Sequence, residues 1–266
     1  MSTPSLLDAL QPVRWTDLVL ISGRVTGLML IAPLWSISAM PRTVRGALVM
    51  ALSLLLLPFA PVAPLPVEAA ALPLPMAGEM LLGVAIGLTG AVFMHGVAMA
   101  GEVAALQMGL NLGPALTPTS EGTVSGVGEL LSSMTLVLYT TIGGHLALLA
   151  ALAASYHAIP AGGVLDYAEG GRAIVALAGT VFTTAVRVVA PIMVALLLAN
   201  LGLAILSRAV PQLNAMAVAF PVTIGLGLIV LGASLPYLGQ YIGSWTHGLD
   251  GSAATMIRAF VPAGVH

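Results

Sequence analysis

Cysteine and lysine are both absent from this 266-residue chain. Without cysteine there can be no disulfide framework, thiolate metal site, iron–sulfur cluster or cysteine nucleophile. Without lysine, all eight basic residues are arginine, at 14, 24, 42, 45, 172, 187, 208 and 258, and no polybasic run exists to hold nucleic acid or anionic headgroups. Charge of either sign is scarce: 7% of residues are Asp, Glu, Lys or Arg, against roughly 25% in an ordinary soluble domain. The net charge of -2 nominates no partner. Motifs of chemistry are missing as well. There is no Gly-x-x-x-x-Gly-Lys-Ser/Thr, no Gly-x-Gly-x-x-Gly opening a helix, no His-Glu-x-x-His and no Gly-x-Ser-x-Gly, so the phosphate-cradle, zinc-hydrolase and serine-hydrolase readings lose their anchors. His95, His145, His157, His247 and His266 are scattered rather than set at ligand spacing. No cofactor, no metal, no nucleic-acid partner and no enzymatic activity are expected.

What the chain has in abundance is apolar surface: 59% hydrophobic residues and a mean hydropathy of +1.06. Such a composition places it in a membrane or a membrane-embedded assembly. The N-terminus, residues 1–10, has an early acidic residue, Asp8, and no basic start, and is not expected to be a cleavable signal peptide.

Spanning helices need about 20 mainly apolar residues, and several stretches qualify. A first hairpin is predicted over 15–61, its helices at 15–38 and 44–61 separated by Met40-Pro-Arg-Thr-Val-Arg45, where Pro41 resists continuation. A proline-studded connection, 61–75, reads as extended. A second hairpin, 77–157, pairs a helix over 77–109, with Gly101 the residue at which it can break, with one over 129–157. A third covers 172–242. Its first stretch, 172–206, is either one long tilted helix or two pieces bent near Pro191, and Pro211, Gln212 and Asn214 form its turn. The tail 243–266 reads as short-helical. If six such spans alternated, the Arg42/Arg45 turn, the Glu102/Glu121/Glu129 loop and the Arg208 turn would share one side, so arginine favours neither face.

The most informative segment is 111–127, rich in glycine, proline and small polar residues between long apolar runs. Irregular backbone at membrane depth has to be buried in protein or line a wet path, which makes it a candidate gate; the plain alternative is a connector. Charges inside apolar runs, most clearly Arg24, Glu102 and Arg187, are costly unless paired. Pairing that fixes packing is the favoured reading over a proton relay, since arginine keeps its proton. Gly83-Val-Ala-Ile-Gly87 permits close helix approach. The thirteen methionines read as adaptable packing rather than a function of their own, although a methionine at a pore constriction can form a deformable seal; Met108 is the one nearest the irregular segment.

Three blocks in order resemble the FliR/SctT family of type III secretion export gate subunits. They are Gly23-Arg-Val-Thr-Gly-Leu-Met-Leu-Ile-Ala-Pro33 with the Pro41/Arg42/Arg45 turn; Gly101-Glu-Val-Ala-Ala-Leu-Gln-Met-Gly-Leu110 with Gly143-Gly-His-Leu146 and Ile159-Pro160; and Leu206-Ser-Arg-Ala-Val-Pro-Gln-Leu-Asn214 leading to Phe220-Pro221. The resemblance implies an all-α fold of integral-membrane-type helical hairpins, packed in a FliP/FliQ/FliR-like export gate assembly. It implies FliP-like and FliQ-like partners, with FlhB-like and FlhA-like export proteins nearby, membrane lipid, and unfolded protein substrates. The location implied is the bacterial inner membrane at the flagellar basal body, with the gate raised toward the periplasm. By position, the family's plug loop maps onto Gln107, Met108, Gly109, Asn111, Gly113, Pro114, Thr117, Pro118, Ser120, Glu121 and Gly122. Arg24, Pro41, Arg42, Arg45, Glu102, Arg187, Pro211, Gln212, Asn214 and Pro221 fall to packing and assembly. Two positions depart from the family pattern: Thr117-Pro-Thr-Ser120 stands where Asp-Pro-Ala-Ser is usual, and Ala219 replaces the glycine before Phe-Pro.

The reading that follows is a non-enzymatic core subunit of the flagellar export gate, with a virulence-type gate subunit as its near alternative. A different class, a small-solute secondary transporter with a site near Gly109 and Pro191, predicts inverted repeats and saturable binding. An intramembrane enzyme would need His95, His145 and Glu102 to converge.

Overall fold

The structure of the chain, a computed structural model, describes residues 15–36, 40–63, 72–110, 126–209 and 215–262. Eight helices follow in order among them: α1 Trp15–Ile31, α2 Arg42–Leu56, α3 Pro73–Met108, α4 Gly126–Ile142, α5 Gly144–Ala158, α6 Tyr167–Ala209, α7 Ala215–His247 and α8 Leu249–Ala259. The described residues contain no strand, and a single parallel bridge joins Val62 to Ala161. The all-α membrane-type fold is therefore the one the composition called for.

Three helices, α3, α6 and α7, are long and apolar enough to cross a bilayer, or four spans if the broken α4–α5 pair counts as one. Among the described residues, fewer than six helices thus reach spanning length. At 17 and 15 residues, α1 and α2 fall short of the roughly 20 that a bilayer requires. Of the two readings of the Pro191 stretch, the single helix is found: α6 continues for 43 residues through Pro191. The proline lacks the N–H that would bond the Arg187 carbonyl.

Two further boundaries differ from expectation. The stretch 129–157 is not one helix, because Gly143 takes φ +88 and ψ 20, a left-handed conformation that stops α4 and starts α5. Conversely, α3 runs unbroken past Gly101 for 36 residues.

By internal contacts the chain forms two compact units: residues 1–92, 140–178 and 246–266 make the first, residues 93–139 and 179–245 the second. In the first, α1 meets α3 along matched glycines. A Cβ on Gly27 would strike the Met80 carbonyl, one on Gly83 the Arg24 carbonyl, and one on Gly87 would lie 3.0 Å from the Leu28 oxygen. The Gly-x-x-x-Gly on α3 thus faces Gly23-x-x-x-Gly27 on α1, and the missing side chains let two backbones touch. α8 packs on α5, and fully buried Phe260 lies against Gly170, whose Cβ would meet the Phe260 Cδ1 at 2.5 Å. Asp166 caps the start of α6 by accepting the N–H groups of Ala168 and Glu169 at 3.0 and 2.9 Å.

The second unit has an apolar core to which α3 gives Val97 and Ala104, α4 Leu131, α6 Ile192 and α7 Ile242. Phe93 stacks on Trp245 with centroids 4.2 Å apart, and Tyr241 tilts against the same phenylalanine at 5.2 Å. At Gly96 a Cβ would sit 2.7 Å from the Thr184 Cβ, so α3 and α6 also meet where a side chain is missing.

Candidate functional site

The irregular segment begins where α3 ends, and the way it ends is specific. Gly109 adopts φ +79, its N–H bonds the Leu106 carbonyl at 3.0 Å, and the Leu110 N–H reaches back to Ala105 at 2.9 Å. This paired pattern is a Schellman cap, with glycine at the left-handed position that other residues resist. The Gln-Met-Gly element is thus a helix terminator. Its three residues divide the work: Gln107 is exposed, Met108 is fully buried, and Gly109 turns the chain.

Met108 is held by α7. A Cβ on Gly227 would lie 2.6 Å from the Met108 Cγ and 3.1 Å from its Sδ, so the thioether fills the space that glycine leaves open. Thr223, one turn earlier on α7, donates to its own helix at the Ala219 carbonyl (3.0 Å), and its hydroxyl lies 3.5 Å from the Met108 carbonyl.

The returning chain is held differently. α4 opens at Gly126, and the next two residues, Val127 and Gly128, are buried. A Cβ on Gly101 would sit 2.5 Å from the Gly128 Cα and 3.1 Å from the Val127 oxygen. This is the physical reason for a glycine at 101: it admits the crossing of α4 rather than breaking α3. Gly101 lies seven residues before Met108, about 10 Å along the helix. The described chain thus stops at the capped end of α3 and resumes, at α4, beside the shaft of α3 itself. Of the predicted plug residues, Asn111, Gly113, Pro114, Thr117, Pro118, Ser120, Glu121 and Gly122 lie outside the described residues.

The charges singled out from the sequence are placed in three environments. Arg24 is 0% exposed and Glu79 1%. The arginine donates from Nε and Nη2 to the Glu79 carboxylate at 2.7 and 3.0 Å, from Nη1 to the Ser155 hydroxyl at 2.9 Å, and from Nη2 to the Ile159 carbonyl at 3.1 Å. Glu79 also accepts the Gly162 N–H at 2.9 Å. The guanidinium lies 4.2 Å over the Tyr156 ring, whose hydroxyl donates to the Ile21 carbonyl at 3.1 Å. One paired cation, with four hydrogen bonds, thereby ties α1, α3, α5 and the turn after α5 together. Glu102, by contrast, is half-buried, and Arg187 is exposed on α6 with no ion pair to another described residue. In the α2 turn, Pro41 precedes the first helical residue with φ -58 and ψ 141; Arg42 is exposed and Arg45 half-buried. Pro221 is exposed inside α7. Pro211, Gln212 and Asn214 lie outside the described residues.

Glu79, Ser155, Tyr156, Thr223 and Gly227 were not singled out by sequence reasoning. Glu79 carried a usable signal: opposite charges flanked by glycine pairs, Gly23-Arg24 with Gly27 and Gly78-Glu79 with Gly83, mark two apolar helices that can close on each other. Gly227 carried none, being one of several glycines in an apolar run.

These features define a helical membrane-type protein with two charge-poor units and a structurally anchored interruption between α3 and α4. Residues 15–248 match the profile of the family described as bacterial export proteins, family 1, and the chain belongs to that family. It is 28% identical over 218 residues to the flagellar biosynthetic protein FliR of Escherichia coli (strain K12), which covers 82% of this chain and 84% of that one. With FliR of Aquifex aeolicus (strain VF5) the identity is 28% over 224 residues, covering 83% and 86%. The secretion system apparatus protein SsaT of Salmonella typhimurium is 30% identical over 161 residues, covering 60% and 62%.

Proposed function

We propose that this chain is a non-enzymatic core subunit of the bacterial flagellar type III protein export gate, which helps form and close the channel for unfolded export substrates. The observation that carries the reading is the family match across 15–248, which takes in both flanks of the irregular segment. The flagellar assignment is favoured over a virulence-type one because the FliR proteins of Escherichia coli and Aquifex aeolicus match over four-fifths of the chain and SsaT three-fifths.

In this reading the plug is the segment 111–127, whose last two residues, Gly126 and Val127, already belong to α4. Its single charge is Glu121, so displacing it strips few charges of their solvent or partners, which suits a closure that admits many substrate sequences. The apolar faces of α6 and α7, with Phe182, Val194, Leu197 and Ile229 all more than half exposed, are covered by FliP-like and FliQ-like neighbours and by lipid, since soluble monomers rarely expose such patches. FlhB-like and FlhA-like proteins adjoin the gate, which sits in the inner membrane at the flagellar basal body and rises toward the periplasm. Arg187 is placed to pair across such an interface, and Arg187→Leu is expected to damage assembly.

Gentle detergent extraction of a tagged chain, with mass spectrometry of stoichiometric companions, tests the assembly. FliP-like and FliQ-like subunits are expected; a lone chain that binds a small solute saturably would move the reading to a transporter. Shortening 112–125 tests the plug: the variant is expected to assemble and to leak small solutes, and a tight membrane would argue for a connector.

A further inference from the structure

We infer that Met108 is a positioning residue of the gate, seated in the slot over Gly227 so that α7 sets where the chain leaves α3. The inference deepens the plug reading and rests on it. Its warrant lies in the described residues on the departure side of the segment.

A Schellman cap fixes the direction in which the chain leaves a helix, but it does not hold the helix end to anything else. That hold has to come from side chains of the last turn. Among the long ones there, Leu106 is 62% exposed, Leu110 is 42% exposed and Gln107 is exposed, whereas Met108 is 0% exposed. The last turn therefore grips its surroundings through Met108.

The receptor is just as specific. On α7, Gly225 and Gly232 have nothing within 4 Å of where a Cβ would be, while at Gly227 that position is occupied by the Met108 side chain. Thr223 lies four residues before Gly227 and so on the same helix face, and it presents its hydroxyl 3.5 Å from the Met108 carbonyl. Side chain and backbone of one residue thus meet two adjacent positions of one helix face. The contact contains no charge and a hydroxyl–carbonyl separation at the limit of a hydrogen bond. A flexible thioether can tighten or withdraw from such a slot without stranding a buried ion.

The test uses the assembled complex in cells, with solute leak as the readout and recovery of the FliP-like and FliQ-like subunits as the check on assembly. Met108→Ala is expected to assemble in full yield and to leak on the order of tenfold faster than the parent, as when a closed state loses one buried contact. Because the chain has no native cysteine, a Met108→Cys/Gly227→Cys pair adds the sole thiols of this subunit. The same assembled complex is expected to be tight when the pair is oxidised and leaky when it is reduced, which a merely structural role would not produce.

Failure of the pair to cross-link would overturn the placement of Met108 on α7. Equal leak in both redox states, or loss of partners in Met108→Ala, would overturn the positioning role. A tight Met108→Ala beside a leaky 112–125 deletion would remove the positioning role of Met108 and leave the plug standing; a tight deletion would remove both.

Discussion

The two units solve the same problem, holding apolar helices together, by opposite means. The first unit contains both of the fully buried charged residues among those described, Arg24 and Glu79, and it satisfies them with directional bonds from α1, α3, α5 and the turn after α5. In the second, the buried polar residues among those described are threonines, and close contact is made by shape: Gly96 against Thr184, Gly101 against Gly128, Met108 in the Gly227 slot. A buried ion pair has one good geometry, because moving either partner strands the other in a medium that solvates neither. Packing of small residues and a thioether has a flatter optimum. The first unit is thereby suited to stay fixed and the second to yield, and the irregular segment is rooted in the second.

The largest effect that would break this contrast is the loss of one partner of the ion pair. Glu79→Leu leaves Arg24 buried without its carboxylate and is expected to cost about 3–5 kcal/mol, the range for stranding one member of a buried pair. Thermal unfolding of the purified complex checks it. The double variant Arg24→Met/Glu79→Leu should recover much of that loss. If the single variant unfolds with the parent, the first unit is not held by the network.

A smaller effect is expected from Gly101→Ala in the second unit. Alanine favours helix over glycine by about 1 kcal/mol, but the new Cβ would lie 2.5 Å from the Gly128 Cα, and overpacking of this kind costs about 1–3 kcal/mol. Net destabilisation is therefore expected, together with faster solute leak, since the return of the irregular segment is displaced. Stabilisation in the unfolding assay would mean that α4 yields at that crossing, and would sharpen the contrast by making the second unit softer still.

Much of this was legible in the sequence, for definite reasons. Hydropathy gave the helices because a bilayer demands length and apolarity of every span, and the Gln-Met-Gly element marked the end of α3 because few residues but glycine tolerate φ +79. What glycine does inside a helix was not legible. Gly101 and Gly143 look alike in the sequence, yet one is a seat for a crossing helix and the other a break, a difference made by what lies opposite. The partner of Arg24 was hidden by distance, 55 residues along the chain, and by Glu79 standing near the start of α3 rather than within an obvious span. The shortness of α1 and α2 was missed because apolar composition continues past the residues that are helical.

The smallest expected effect concerns what covers the second unit's helices. Two thirds of the apolar window of α3 is buried within the chain, 67%, against 22% for α6 and 17% for α7. On α7, Gly232 is exposed and has nothing within 4 Å of a Cβ. In the isolated subunit Gly232→Ala is therefore expected to stabilise by about 0.5–1 kcal/mol, through helix propensity alone. In the assembled complex the sign depends on the covering surface. Lipid chains accommodate a methyl group, so the gain would persist, whereas a helix seated close against glycine would be pushed away and the yield of complex would fall. Measuring both the stability of the subunit and the recovery of its partners separates the two: a gain in the first with a loss in the second would place a neighbouring helix, rather than lipid, over this face of α7.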